Sequence, residues 1–233
     1  MVEKFHDELE ILKKDVINMG DLAKEMLQKS AESLKDLDEE KAEWVLSKKG
    51  QIADMDDDIE ERTLRLITLY QPMASDMRQI ACILKMITYL NRIGRYGKDI
   101  AKIVEGWGDK RHVKKLVSIP YMAGIVCNMI DDAMNAFETK DISRFNDFSD
   151  RDDEVDELRY SIFRECLSYM MEDPKVITRC TNYIMVARYL ERCADHACKM
   201  AEKIYYMVTG QRVEIDHSED TAKSSLRNGV KDE

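Results

Sequence analysis

The chain repeats itself, and the repeat constrains the fold more than any other feature. Met122, Met129 and Phe137 stand where Met19, Met26 and Leu34 stand, each 103 positions later. Asp141 answers Asp38 at the same offset, and Val155, Leu158 and Ile162 answer Ile52, Met55 and Ile59. After the next turn the offset falls to 100, because one connection of the second copy is three residues shorter. There Tyr89-Leu90-x-Arg92 meets Tyr189-Leu190-x-Arg192, and Ala101 meets Ala201. A register held across three successive patterns is an internal duplication.

Each copy reads as three helices. Phe5, Leu9, Leu12, Val16, Met19, Ala23 and Met26 recur at steps of four and three, the stripe of a helix buried along one side. The register ends near Leu37-Asp38, where Asp38 is placed to cap the next helix. A second pattern runs through Ala42, Val45, Ile52, Ile59 and Leu66 until Gln71-Pro72 stops it. A third carries Met77, Ile80, Leu84 and Ile87 and ends before Gly106-Trp107-Gly108. Nine glycines and three prolines are too few breakers for a β-rich chain of 233 residues. The expected fold is all-α: two tandem pseudo-symmetric three-helix bundles, residues 1–106 and 107–210. They are expected to join near 106–116 into an elongated molecule, its helices of about 30 residues reaching roughly 45 Å. Residues 211–233 lose periodicity and read as a tail.

Charge and cysteine usage narrow the function classes. A net charge of −10 argues against a broad nucleic-acid footprint. The one basic cluster, Lys110-Arg111-His112-Val113-Lys114-Lys115, reads as a solvated linker or helix start rather than an anion site. No run of about 18 apolar residues occurs, so direct membrane insertion is not expected. Cys82, Cys127, Cys166, Cys180, Cys193 and Cys198 form no C-x-x-C pair, and the chain opens with no signal-peptide pattern. Thiols so placed act as small hydrophobes in a reducing compartment, which points to the cytoplasm. Gly-rich phosphate loops, nucleophile elbows and triad patterns are missing, so a binding protein is expected rather than an enzyme.

The sharpest local signal is charge inside an apolar seam. The last helix carries Ile177, Cys180, Ile184, Ala187, Ala194, Cys198 and Ala201, and its four-three alternation requires Glu191 as a member. Asp195 follows one turn on. The preceding helix has Phe145, Phe148, Val155, Ile162, Cys166 and Tyr169, with Asp152 in the seam and Asp156 one turn later. Buried carboxylates need compensation. Facing helices of a bundle can supply it by holding a hard cation such as Mg²⁺, Mn²⁺, Ca²⁺ or iron. The competing reading is a charged face paired with Lys199, four residues past Asp195, or with Arg151, Arg159, Arg188 and Arg192. In the first copy the matching positions are Lys49, Ala53, Asn91 and Arg95, so all four carboxylates are gone. A metal is therefore expected in the second copy only, with Lys49 and Arg95 pairing with Asp99, Asp56 or Glu25 in the first.

Four stretches then resemble one family: Gln71-Pro-Met-Ala-Ser-Asp-Met-Arg78, Tyr169-Met-Met-Glu-Asp-Pro174, Leu190-Glu-Arg-Cys-Ala-Asp195 and Tyr206-Met-Val-Thr-Gly210. In this order, on a duplicated helical scaffold, they are similar to the PhoU family over about residues 3–210. The resemblance implies negative regulation of phosphate uptake and of phosphate-starvation signalling. It also implies contact with the ATPase of the phosphate ABC transporter and with a sensor histidine kinase, and a homodimer. Family members carry E(D)-x-x-x-D motifs that hold iron, zinc, magnesium or manganese clusters. Carried over, these fall on Asp152, Asp156, Glu191 and Asp195, and the chain departs from the family at Lys199 and, in the first copy, at Lys49, Ala53, Asn91 and Arg95. In the Gln71–Arg78 segment a turn at Pro72 and a cap at Ser75 or Asp76 account for those residues. They leave Gln71 and Arg78 as candidates for partner docking. Two alternatives remain beside this reading. One is a metal-free structural interaction bundle. The other is a carboxylate-bridged metalloenzyme, which needs Glu-x-x-His pairs on two core helices. His196, directly after Asp195, points elsewhere on its helix and reads as a surface or packing residue rather than a ligand.

Overall fold

The computed structural model describes residues 2–108 and 111–215. Lys110 of the basic cluster and residues 216–233 of the tail lie outside the described residues. Helix α1 (Val2–Asp36) buries every member of its predicted stripe, from Phe5 to Met26. Asp38 caps α2 (Glu39–Ser47), its carboxylate accepting from the Lys41 N–H at 3.1 Å. Only Lys48 separates α2 from α3 (Lys49–Tyr70), and the Ile52 N–H donates back to the Lys48 carbonyl at 3.1 Å. The two therefore form one kinked rod, which is why a single pattern from Ala42 to Leu66 ran through both. Helix α4 (Ala74–Glu105) completes the first half.

The second half repeats the order with α5 (Ser118–Thr139), a 3-10 turn at Ser143–Asp147, α6 (Phe148–Glu172), a short turn at Pro174–Val176, and α7 (Ile177–Thr209). Asp141 does not repeat the cap made by Asp38. Its carboxylate takes the Ser143 N–H at 3.0 Å, two residues on, and starts a turn where the first half has a helix. No strand occurs among the described residues, and no helix is long and apolar enough to cross a membrane.

The halves lie side by side, not end to end. α1 packs on both α4 and α5, and α4 packs on α7, so one continuous apolar core runs through all of them. The elongation expected from the sequence therefore comes from the length of the helices and not from one unit extending beyond the other. The reason is that α1, α4, α5 and α7 are apolar on more than one face, and each extra face needs a neighbour. Small residues set the closeness of approach. A Cβ at Gly97 of α4 would lie 3.0 Å from the backbone carbonyl of Met26 in α1. The matching position of α7 is Ala197, fully buried.

α4 and α7 run in opposite directions. Arg78 at the start of α4 lies against Gly210 after α7, while Trp107 after α4 packs on Tyr183 near the start of α7, 5.4 Å between rings. The linker is pinned rather than solvated. His112 Nε2 is 3.0 Å from the Lys35 carbonyl, which can only accept, so Nε2 carries the proton and Nδ1 accepts from the Tyr183 hydroxyl at 2.8 Å. Lys114 pairs with Glu165. The tail also folds back at first. Ile215 is buried, and its N–H donates to Glu202 Oε1 at 3.1 Å.

Candidate functional site

α6 and α7 pack together, and both seam carboxylates are where helical spacing puts them: Asp152 is 3% exposed and Glu191 8%. Asp156 and Asp195 are wetter. Glu191 is surrounded by guanidinium groups. Arg188 Nη1 donates to its Oε1 at 2.7 Å, Arg192 Nε stands 3.8 Å from Oε2, and Arg159 Nε reaches across from α6 to 3.9 Å. The same Arg159 nitrogen is 3.9 Å from Asp156 Oδ1. Arg192 Nη1 donates to Asp195 Oδ2 at 2.8 Å. Asp152 faces Cys198 of α7, whose thiol is kept protonated by burial first and then by that carboxylate. Burial pushes the Glu191 carboxyl above its ordinary value, and Asp195 adds to this. Arg188, Arg192 and Arg159 pull it back only in part. Lys199 does not take Asp195 as the spacing suggested. It reaches three residues on, to Glu202 at 2.8 Å, because Arg192 already holds Asp195.

An ion site needs several oxygens turned toward one point with free lone pairs. Here an arginine N–H is bonded to one oxygen each of Glu191 and Asp195. Glu191 Oε2 is buried with no hydrogen-bond partner among the described residues and has only Arg192 Nε at 3.8 Å, and Arg159 Nε stands 3.9 Å from both Asp156 and Glu191. Among the described residues no three His, Cys, Asp or Glu side chains are placed to hold an ion together. The donor set, as arranged, does not fit a divalent or iron cluster. Glu-x-x-His spacing occurs at Glu3–His6 in the first turn of α1 and at Glu214–His217, with His217 outside the described residues; neither pair stands on α6 or α7.

The first half clarifies what the arginine is doing. Asp56 of α3 accepts from Asn91 of α4 at 2.5 Å. By the repeat offsets Asp56 answers Arg159, and Asn91 answers Glu191. Both halves therefore bridge their last two helices at one position, with an acid and an amide in the first and a guanidinium and an acid in the second. This signal was available in the sequence, since the offset alone pairs Arg159 with Asp56. The expectation that Lys49 and Arg95 would neutralise Asp99, Asp56 or Glu25 does not hold. Glu25 takes Lys29 one turn along its own helix at 2.8 Å, Asp99 takes its neighbour Lys98 at 2.7 Å, and Asp56 takes Asn91.

The turn between α3 and α4 uses its residues differently from the sequence reading. Ser75 and Asp76 do not cap α4. The helix begins at Ala74 after Met73, without a side-chain cap. Gln71 is the left-handed C-cap of α3 at φ 46, its N–H donating to the Ile67 carbonyl at 3.2 Å. Arg78 is half-buried against Gly210, the left-handed cap of α7. Met73, beside Gln71, is 78% exposed, and Met171 before the second turn is 86% exposed. All six cysteines are free and buried. Burial pushes the Cys82, Cys127 and Cys166 thiols up to about 12, so none is a ready nucleophile.

The sequence pattern of the PhoU domain matches the chain twice, at residues 16–104 and 119–204. A protein of Rhizobium meliloti named phosphate-specific transport system accessory protein PhoU homolog is 33% identical over 229 residues, covering 97% of this chain and 96% of its own. A protein of Aquifex aeolicus with the same name is 36% identical, covering 92% of this chain and 97% of its own. The crystal structure of PhoU from Pseudomonas aeruginosa superposes with a TM-score of 0.83 at 32% identity, covering 89% of this chain and all of that one. The crystal structure of the phosphate transport system regulatory protein PhoU from Streptococcus pneumoniae gives 0.82 at 27% identity, covering 90% of this chain and 99% of that one.

Proposed function

This chain belongs to the PhoU family, and from that membership we propose that it is an accessory regulator of phosphate transport that acts by binding other proteins. The observation that carries the reading is length. Relatives named as accessory proteins of phosphate-specific transport correspond to the chain nearly end to end, through both halves. The finer reading is negative regulation from the cytoplasm, as a homodimer. At high phosphate the protein contacts the ATPase of a phosphate ABC transporter and a sensor histidine kinase, and it restrains both uptake and the starvation response. The exposed turns around Gln71-Pro72-Met73 and Met171 support a docking role, because flexible methionines at loop tips adapt to a partner surface. Arg78 belongs to that segment but serves the end of α7 first. Deletion of the gene is expected to raise phosphate uptake and starvation-gene expression at high phosphate, and affinity capture from such cells is expected to bring down the ATPase or the kinase. Unchanged uptake and expression after deletion would remove the proposal.

On the metal, the residues favour a different cation. The proposal is that Arg159 supplies the positive charge between α6 and α7 that Asp152, Asp156, Glu191 and Asp195 would otherwise draw from a divalent ion or iron. Elemental analysis of the purified protein is then expected to give metal far below one equivalent, unchanged in Glu191→Ala and Asp195→Ala. One equivalent or more in the parent protein, lost in either variant, would restore the metal reading.

A further inference from the structure

The segment after α7 crosses the start of α4 and encloses a cleft of about 610 Å³, within the roughly 300–1,000 Å³ of small-molecule sites. Its charge is unlike that of the rest of the molecule. In a chain of net charge −10, Lys85 from α4, Lys203 from α7 and Arg212 from the returning segment all line this one cleft. Among the described residues neither Lys85 nor Arg212 has a carboxylate in ion-pair range, and Lys203 has only Glu202 at 4.0 Å. Glu202 is a weak counter-charge, since its Oε1 is taken by Lys199 at 2.8 Å and by the Ile215 N–H at 3.1 Å. Glu214 is the other acid on the rim, and it is exposed. The floor is apolar: buried Cys82, with Tyr206 and Val213 half-buried.

The opposite end of the molecule provides an internal control. By the repeat offset of 100, Lys85 corresponds to Met185 and Lys203 to Ile103. The segment following α4 closes that end with aromatic rings, Trp107 on Tyr183 and His112 bonded to the same tyrosine. At that end the two matching positions are apolar and the linker fills the space, with Lys114 taken by Glu165 and Arg179 by the Arg111 carbonyl. The other end is left open, with three cations and two carboxylates among its lining residues. Lys85 and Arg212 are exposed and Arg212 leans over the Tyr206 ring at 5.5 Å, so water screens their mutual repulsion. An anion entering the cleft would meet two cations with no carboxylate in ion-pair range among the described residues. Three cations from three elements suit a multiply charged group better than a single carboxylate. A cleft of this size with an apolar floor has room for far more than a bare inorganic ion.

We propose that this cleft binds a small organic phosphate, its phosphoryl group among Lys85, Lys203 and Arg212 and its apolar or aromatic body on Cys82, Tyr206 and Val213. The proposal stands apart from the regulatory reading, since it rests on this cleft and not on any protein partner. Titration calorimetry on the full chain, with adenosine diphosphate as the probe and inorganic phosphate as a separate arm, tests it. The nucleotide is expected to bind once per chain. The double variant Lys85→Met, Lys203→Ile carries the residues of the apolar end and is expected to weaken binding about tenfold or more, with Arg212→Gln weakening it independently. Lys175→Met, on the exposed turn before α7, serves as the control and is expected to bind as the parent does, with melting curves confirming that each variant folds. Absence of saturable nucleotide binding, equal affinity in the double variant, or inorganic phosphate binding as tightly as the nucleotide would each overturn the proposal.

Discussion

His196 stacks against the rings of Tyr89 and Tyr96, at 5.6 and 6.0 Å, where α4 of one half meets α7 of the other. It is 9% exposed, and its Nε2 has no hydrogen-bond partner among the described residues. Burial first, then Arg92 and Arg192, push its pKa down to about 4 against the pull of Asp195. The unfolded chain, with an ordinary histidine near 6.5, therefore binds the extra proton more readily than the folded one. The stability contributed by a neutral His196 is present above pH 6.5 and is lost as pH falls toward 4. Thermal melting of the parent and of His196→Phe, which keeps a ring and removes the titration, is expected to diverge in that window, with the parent falling more steeply. Parallel profiles would contradict the assignment. At this scale the sequence showed which side chains are inside but not what they touch. Spacing alone put Asp152 and Glu191 in the seam. That Arg159 reaches across to Glu191 depends on how α6 and α7 are rotated against each other, which no single-helix pattern encodes.

Between helices, the close approach of α1 and α4 makes Gly97 sensitive in a way that Gly124 of α5 is not. At Gly97 an added methyl meets rigid backbone of Met26 and Leu27 at 3.0 to 3.1 Å, whereas at Gly124 nothing lies within 4 Å. Overpacking costs about 1–3 kcal/mol, and alanine regains roughly 1 kcal/mol of helix propensity over glycine. Gly97→Ala is expected to be destabilised by up to about 2 kcal/mol net in chemical denaturation, and Gly124→Ala to be stabilised by up to about 1 kcal/mol. The reverse order would mean that α1 and α4 stand further apart. Helix stripes and the Asp38 cap were readable because they depend on neighbours within a few residues. The start of α4 was not: Ser75 and Asp76 carry capping chemistry, yet Met73 already holds the cap position and the helix begins at Ala74, where the turn after Pro72 delivers it.

For the whole chain, the shared core means that neither half can bury all its apolar surface alone. α4 would lose α7, α1 would lose α5, and the stacked Tyr96 and Tyr189, 5.6 Å apart, would both face water. Residues 1–106 or 107–210 produced separately are expected to aggregate or melt well below the intact chain, which should unfold in one transition. Two separate transitions in calorimetry would show instead that the halves are autonomous. The duplication told the order of the helical rods, though α2 and α3 are two helices where one was read. Side-by-side packing was hidden, since a repeat offset does not say which faces of the copies meet. Because α4 and α7 are antiparallel rods of 32 and 33 residues, the two exposed methionine-bearing turns stand at opposite tips, roughly 45–50 Å apart. Two bodies gripping one tip each would not collide, and the protein between them would act as a rigid spacer that holds them at a fixed distance.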